Sequence, residues 1–131
     1  MPQRILLVED DAILAMDITQ TLLSAGVQEV QHCASTEEAL VALRAATPDV
    51  VIVDVHLSDR DDGWAIAELV AGIVPHPPRI IFSTGAPDDM PAPIADMGPV
   101  LEKPYEAADL VAVIREPRKR GIIWRLTRVM R

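Results

Sequence analysis

A chain of 131 residues is long enough for one domain with one hydrophobic core. Half of it is hydrophobic but only 3% is aromatic, so the core must be built from Val, Ile, Leu and Ala, and no run approaches the roughly 18 apolar residues of a membrane-spanning helix. The net charge of −8 argues against a nucleic-acid-binding globule, and the single Cys33 excludes an intrachain disulfide and a Cys-based zinc site.

The first strand is expected at residues 4–8, Arg-Ile-Leu-Leu-Val, and it ends in Glu9-Asp10-Asp11. The start is too short for the apolar region of a signal peptide, so a cytoplasmic protein is expected. Asp11 is placed to cap a helix in which Ile13, Leu14, Ile18, Leu22 and Leu23 recur at near-helical spacing. Gly26 stops that helix. Residues 28–34 read as a weaker, edge-like strand. Ser35 or Thr36, with Glu38 close behind, starts a second helix carrying Ala39, Leu40 and Leu43.

After Pro48 comes Asp49-Val50-Val51-Ile52-Val53-Asp54. Four β-branched residues in a row put apolar groups on both faces. That is the habit of a central strand in a parallel sheet. The loop from His56 to Gly63 is polar and acidic. A third helix over about 64–72 carries Trp64, Ile66, Ala67, Leu69 and Val70. Residues 79–84, Arg-Ile-Ile-Phe-Ser-Thr, form the fourth strand. Pro87, Pro91, Pro93 and Gly98 leave room for only a short, irregular fourth helix. A short strand, Pro99–Glu102, ends at Lys103-Pro104, and a fifth helix runs from about Glu106 to Ile114. This alternation predicts an α/β fold with a parallel five-stranded sheet and helices on both faces.

Charge divides the chain. Residues 1–114 hold 5 Lys/Arg and 19 Asp/Glu, whereas 115–131 hold 7 and 1. The chain therefore reads as a domain over 1–117 and a basic extension over 118–131. In the extension Ile122, Ile123, Leu126, Val129 and Met130 would share one apolar face of a helix, with Arg125, Arg128 and Arg131 around it. Such a helix could pack on its own acidic body, on a second subunit or on an anionic membrane, and charge attraction favours the protein contacts.

Ligands of open α/β sheets bind beyond the carboxyl ends of the strands. Those ends would bring together Glu9, Asp10, Asp54, Thr84 and Lys103. Three carboxylates in one place need a compensating cation, and an oxygen-only donor set suits Mg²⁺. Lys103 adds a point charge for an anionic oxygen, and Thr84 a hydroxyl. The set is suited to phosphoryl transfer to a carboxylate, with Asp54 as nucleophile.

Leu6-Leu7-Val8-Glu9-Asp10-Asp11, Val53-Asp54, Ser83-Thr84-Gly85 and Lys103-Pro104-Tyr105, in that order, resemble the receiver domain of two-component response regulators. The resemblance implies a flavodoxin-like, doubly wound (βα)5 fold with strand order 2-1-3-4-5. It implies that Asp54 accepts a phosphoryl group from a sensor histidine kinase or histidine phosphotransferase. It makes Glu9 and Asp10 the acidic pair holding Mg²⁺ with Asp54, Thr84 the switch hydroxyl and Lys103 the phosphate-binding lysine. His56 would give the metal its backbone carbonyl. The output would be a contact with an effector protein, without a DNA-binding domain, and the chain would not be an enzyme acting on a diffusible substrate. The tail, or the face formed by residues 86–115, would be the candidate homodimer contact.

The chain departs from the family in three places. Leu57 is followed by Ser58 where receivers have proline, Gly63 lies one residue late, and Leu101 replaces a frequent aromatic switch residue. The Phe82–Gly85 run and the proline-broken fourth helix are similar to a subgroup of stand-alone receivers. Two other functions fit the same residues less well. A haloacid-dehalogenase-like phosphohydrolase also uses Asp and Mg²⁺, but wants an acid where His56 stands. A receiver-like binding module that takes no phosphate would not need the full acidic pair, Thr84 and Lys103.

Overall fold

The computed structural model describes residues 1–55, 64–73, 75–116 and 125–126. Strands β1 (Arg4–Val8), β2 (Glu29–Cys33), β3 (Val50–Asp54), β4 (Arg79–Thr84) and β5 (Val100–Glu102) alternate with helices α1 (Ala12–Ser24), α2 (Thr36–Ala45), α3 (Trp64–Ala71), α4 (Ala92–Ala95) and α5 (Ala107–Arg115). The five strands are parallel in the order β2-β1-β3-β4-β5, as the resemblance implied. A sixth strand, β6 (Arg125–Leu126), lies parallel to β5 and extends the sheet at that edge.

All five residues of β3 are buried, because both faces of the sheet are covered. Val50 and Ile52 pack with Ile18, Leu22, Leu110 and Ile114, under α1 and α5. Val51 and Val53 pack with Ala39, Ala42, Ile66 and Val70, under α2 and α3. Each fully buried Val, Ile or Phe contributes about 1.5–3 kcal/mol of transfer free energy, and Phe82 on β4 is among those wholly removed from solvent.

Local chemistry sets the element ends. Asp11 caps α1, its Oδ1 accepting from Ile13 N at 3.0 Å and Leu14 N at 3.1 Å. Gly26 takes φ +111° just after α1, where an L side chain would be strained. Ser35, rather than Thr36, caps α2 and accepts from Glu38 N at 3.2 Å. Asp49 Oδ2 accepts from the backbone of Gln3 and Arg4 at 3.0 and 2.9 Å, which fixes the start of β3 against β1. Arg79, at the start of β4, donates to the carbonyls of Val113, Ile114 and Glu116 at 2.9–3.0 Å and so closes the C-terminal end of α5. Gly98 passes against the Ile80 carbonyl, where a Cβ would overlap it.

Two sequence expectations change. On α1 the core side is Ala15, Ile18 and Leu22, whereas Ile13 and Leu23 face solvent, Ile13 with 82% exposure. The helix is apolar nearly all round, so periodicity alone did not select its face. In the tail, Arg125–Leu126 are a strand and not part of a helix, because the open edge of β5 offers main-chain partners that an isolated short helix lacks. The other tail residues assigned to that helix lie outside the described residues. So do His56 and the acidic loop to Gly63. Among the described residues no helix is long and apolar enough to cross a membrane.

Candidate functional site

Parallel register decides what meets at the carboxyl edge of the sheet. Val8 pairs with Val53, and Asp54 with Ser83, so Glu9 and Asp10 leave β1 beside the end of β3. One carboxylate oxygen from each of Glu9, Asp10 and Asp54 lies within 4.8 Å of the others. Glu9 and Asp54 are buried and Asp10 is exposed. From the end of β5, Lys103 reaches in and places Nζ 3.0 Å from Glu9 Oε1 and 3.1 Å from Asp54 Oδ2. The Lys103–Pro104 peptide is cis.

Glu9 is held at every polar atom. Its N–H donates to Cys33 O at 3.0 Å, and its carbonyl accepts from His32 Nε2 at 2.6 Å. Its Oε2 accepts from Asp11 N at 3.1 Å, and Oε1 faces Lys103. Burial pushes the Glu9 carboxyl up to about 6, against the lowering influence of the Asp11 N–H and the Lys103 charge. For Lys103, burial works against the ammonium, but the charges of Glu9 and Asp54 and hydrogen bonds to both hold its pKa above the ordinary value.

Thr84 is fully buried at the end of β4, where its Oγ1 accepts from Ala86 N at 3.0 Å. Its carbonyl accepts from Lys103 N at 2.8 Å, so the two loops that leave β4 and β5 are tied at their roots. Next to it, Ser83 Oγ and Tyr105 Oη are 3.0 Å apart. Burial raises the Tyr105 pKa, with the Ser83 hydrogen bond working the other way. Sequence reasoning missed both this bond and the one from His32. Nothing in the sequence marked His32, and Tyr105 entered only as part of a motif. Cys33 is buried, its thiol pushed up to about 11 by burial and by the Glu38 charge, which suits an inert core residue.

Glu9, Asp10, Asp54 and Lys103 thus come together, with Thr84 on the adjoining strand end. His56 lies outside the described residues. Three carboxylates against one ammonium leave a net charge of about −2, which a divalent cation matches, and the all-oxygen donor set fits Mg²⁺.

The raised Glu9 pKa predicts a pH effect. Between about 4.5 and about 6 the folded protein keeps a proton on Glu9 that the unfolded chain has released. This stabilisation, at most about 2 kcal/mol, is complete below the lower value and is lost as pH rises through the upper one. A cation on the site needs Glu9 ionised. Thermal melts with EDTA and with Mg²⁺ should therefore show a larger Mg²⁺ increment at pH 7 than at pH 5. Equal increments would place the raised proton affinity elsewhere.

The chain matches the family model of the response regulator receiver domain over residues 5–115. It is similar to the transcriptional regulatory protein PdtaR of Mycobacterium tuberculosis, with 28% identity over 116 residues that take in 87% of this chain and 56% of that protein. The chain thus spans little more than half the length of that relative. Among solved structures, it is similar to a CheY-like receiver domain from Methylobacillus flagellatus, with TM-score 0.75, 24% identity and coverage of 88% of this chain and 98% of the other. That likeness concerns the fold. The response regulator PhyR from Brucella abortus matches with TM-score 0.70 and 27% identity, over 87% of this chain and 46% of that one.

Proposed function

Because this chain belongs to the response regulator receiver domain family, we propose that it is a phosphorylation-operated signalling module whose acceptor is Asp54. The observation that carries this reading is Lys103 Nζ set between Glu9 and Asp54, 3.0 and 3.1 Å from their oxygens, beside the exposed Asp10. The donor would be a phosphohistidine of a sensor kinase or phosphotransferase, and the site would work in the cytoplasm.

An Asp54 carboxylate oxygen attacks phosphorus. The P–N bond breaks, and its electron pair stays on the imidazole nitrogen, which takes up a proton. Glu9, Asp10 and Asp54 would hold Mg²⁺, which when bound supplies positive charge against the phosphoryl oxygens. Lys103 neutralises one of those oxygens and keeps the others in line. Burial of Asp54 and Glu9 keeps bulk water from weakening these attractions. Thr84 can turn its hydroxyl toward the new phosphoryl group. Doing so gives up the hydrogen bond from Ala86 N, and the loop after β4 is then free to rearrange. Lys103 shifts at the same time, and the backbone bond from Lys103 N to Thr84 O carries the change to the loop after β5. The rearranged loops change which effector protein binds.

Intact mass after incubation with acetyl phosphate tests the reading. One added phosphoryl group is expected on the wild type with Mg²⁺, none with EDTA and none on Asp54→Asn. Labelling of folded Asp54→Asn to the wild-type level would reject Asp54 as the acceptor. Sustained phosphate release from an added phosphomonoester would point to a phosphohydrolase.

A further inference from the structure

Asp10 stands apart from its neighbours in how it is held. Glu9 and Asp54 are buried and bound to Lys103. Asp10 is exposed, and among the described residues its carboxylate has no hydrogen bond or ion pair. Its place is therefore set by the peptides on either side of it. On the far side, Asp11 N donates to Glu9 Oε2 at 3.1 Å, and Asp11 is locked as the cap of α1. On the near side, the Glu9–Asp10 peptide is held through the Glu9 carbonyl by His32 Nε2 at 2.6 Å. The acceptor is a carbonyl, so Nε2 carries the proton. His32 sits on β2 opposite Leu7, so its ring extends forward along the sheet to the residue that follows β1.

We infer that His32 is a positioning residue for Asp10: its ring fixes the plane of the peptide that carries this carboxylate to the cation. The inference rests on the phosphoacceptor reading above. A side chain that orients a metal ligand without touching the metal typically sets affinity by 10–100-fold when removed. Ring size and stacking have no part in this role. What matters is an N–H at the Nε2 position, which a glutamine amide also offers.

The test is the Mg²⁺ dissociation constant by isothermal titration calorimetry on the full chain, for wild type, His32→Ala and His32→Gln, with thermal melts in EDTA alongside. His32→Ala should weaken Mg²⁺ binding by about 10-fold, and His32→Gln should recover most of it. A purely structural His32 would lower the EDTA melting temperature of both variants and leave their affinity for Mg²⁺ at the wild-type value, which overturns the inference. If His32→Ala does not fold, His32→Asn replaces it, since its shorter amide does not reach the Glu9 carbonyl, and the same comparison with Gln decides. A wild type that binds no Mg²⁺ would overturn the inference and the phosphoacceptor reading together. A wild type that binds Mg²⁺ and labels Asp54, with His32→Ala of equal affinity, overturns the inference alone.

Discussion

Lys103→Met should lower the stability of the metal-free protein at pH 7 by about 3 kcal/mol, the usual scale for leaving a buried ion pair with one partner. The reason is the company Lys103 keeps. Its side chain is 25% exposed, but those of Glu9 and Asp54, which it joins, are 1% and 6% exposed, so little water can replace it. Methionine fills a similar volume and removes only the charge. The variant should recover most of the loss on adding Mg²⁺, because the ion takes over the neutralisation, and its Mg²⁺-induced rise in melting temperature should exceed that of the wild type. Phosphoryl acceptance should not recover in the same way. Without the ammonium at the phosphoryl oxygens, labelling by acetyl phosphate at saturating Mg²⁺ should be slower by about 100-fold. Melts and labelling therefore separate two roles of one residue. A variant as stable as the wild type in EDTA would show that the pocket tolerates its carboxylates without the lysine.

Gly98→Ala should cost about 3 kcal/mol, the upper end of overpacking effects, and lower the melting temperature by roughly 10 °C. The added Cβ would overlap the Ile80 carbonyl. That obstacle is backbone in a central strand, so no rotamer change relieves it. The chain just before β5 would have to draw away from β4, weakening the pairing that begins where Phe82 N donates to Pro99 O at 2.8 Å. Gly85→Ala is the matched control, since a Cβ there meets nothing within 4 Å. Equal melting temperatures for the two variants would remove the argument.

The sheet and its acidic edge were legible because their signals are local. Val50–Val53 is apolar on both faces, and a carboxylate, a hydroxyl or an ammonium stands at the end of each strand in the motifs. Asp11 as a cap and the broken fourth helix could be read from a few adjacent residues. What escaped depends on register or close approach. His32 meets Glu9 only because β2 and β1 pair as they do. Arg79 closes α5 from 34–37 residues earlier in the chain. On α1, Ala15 lies in the core while the larger Ile13 does not, because packing against a sheet selects shape as well as hydropathy. In the tail, the helical spacing of apolar residues was real as a pattern but had to compete with the exposed main chain of β5, which no periodicity reports.

The outermost strand β2 has a consequence for crowding. A strand with one side unpaired offers its N–H and C=O groups to any other chain. In β2, Glu29, Gln31 and His32 are exposed, Val30 is half-buried and only Cys33 is fully covered. Glu29 is also engaged by Arg4 at 3.3 Å. A second molecule adding a strand here would have to strip water from this polar row and bring another acidic body close. The sheet can therefore end in water at β2 without seeding a fibre, and its most apolar strand, β3, stays inside between two neighbours.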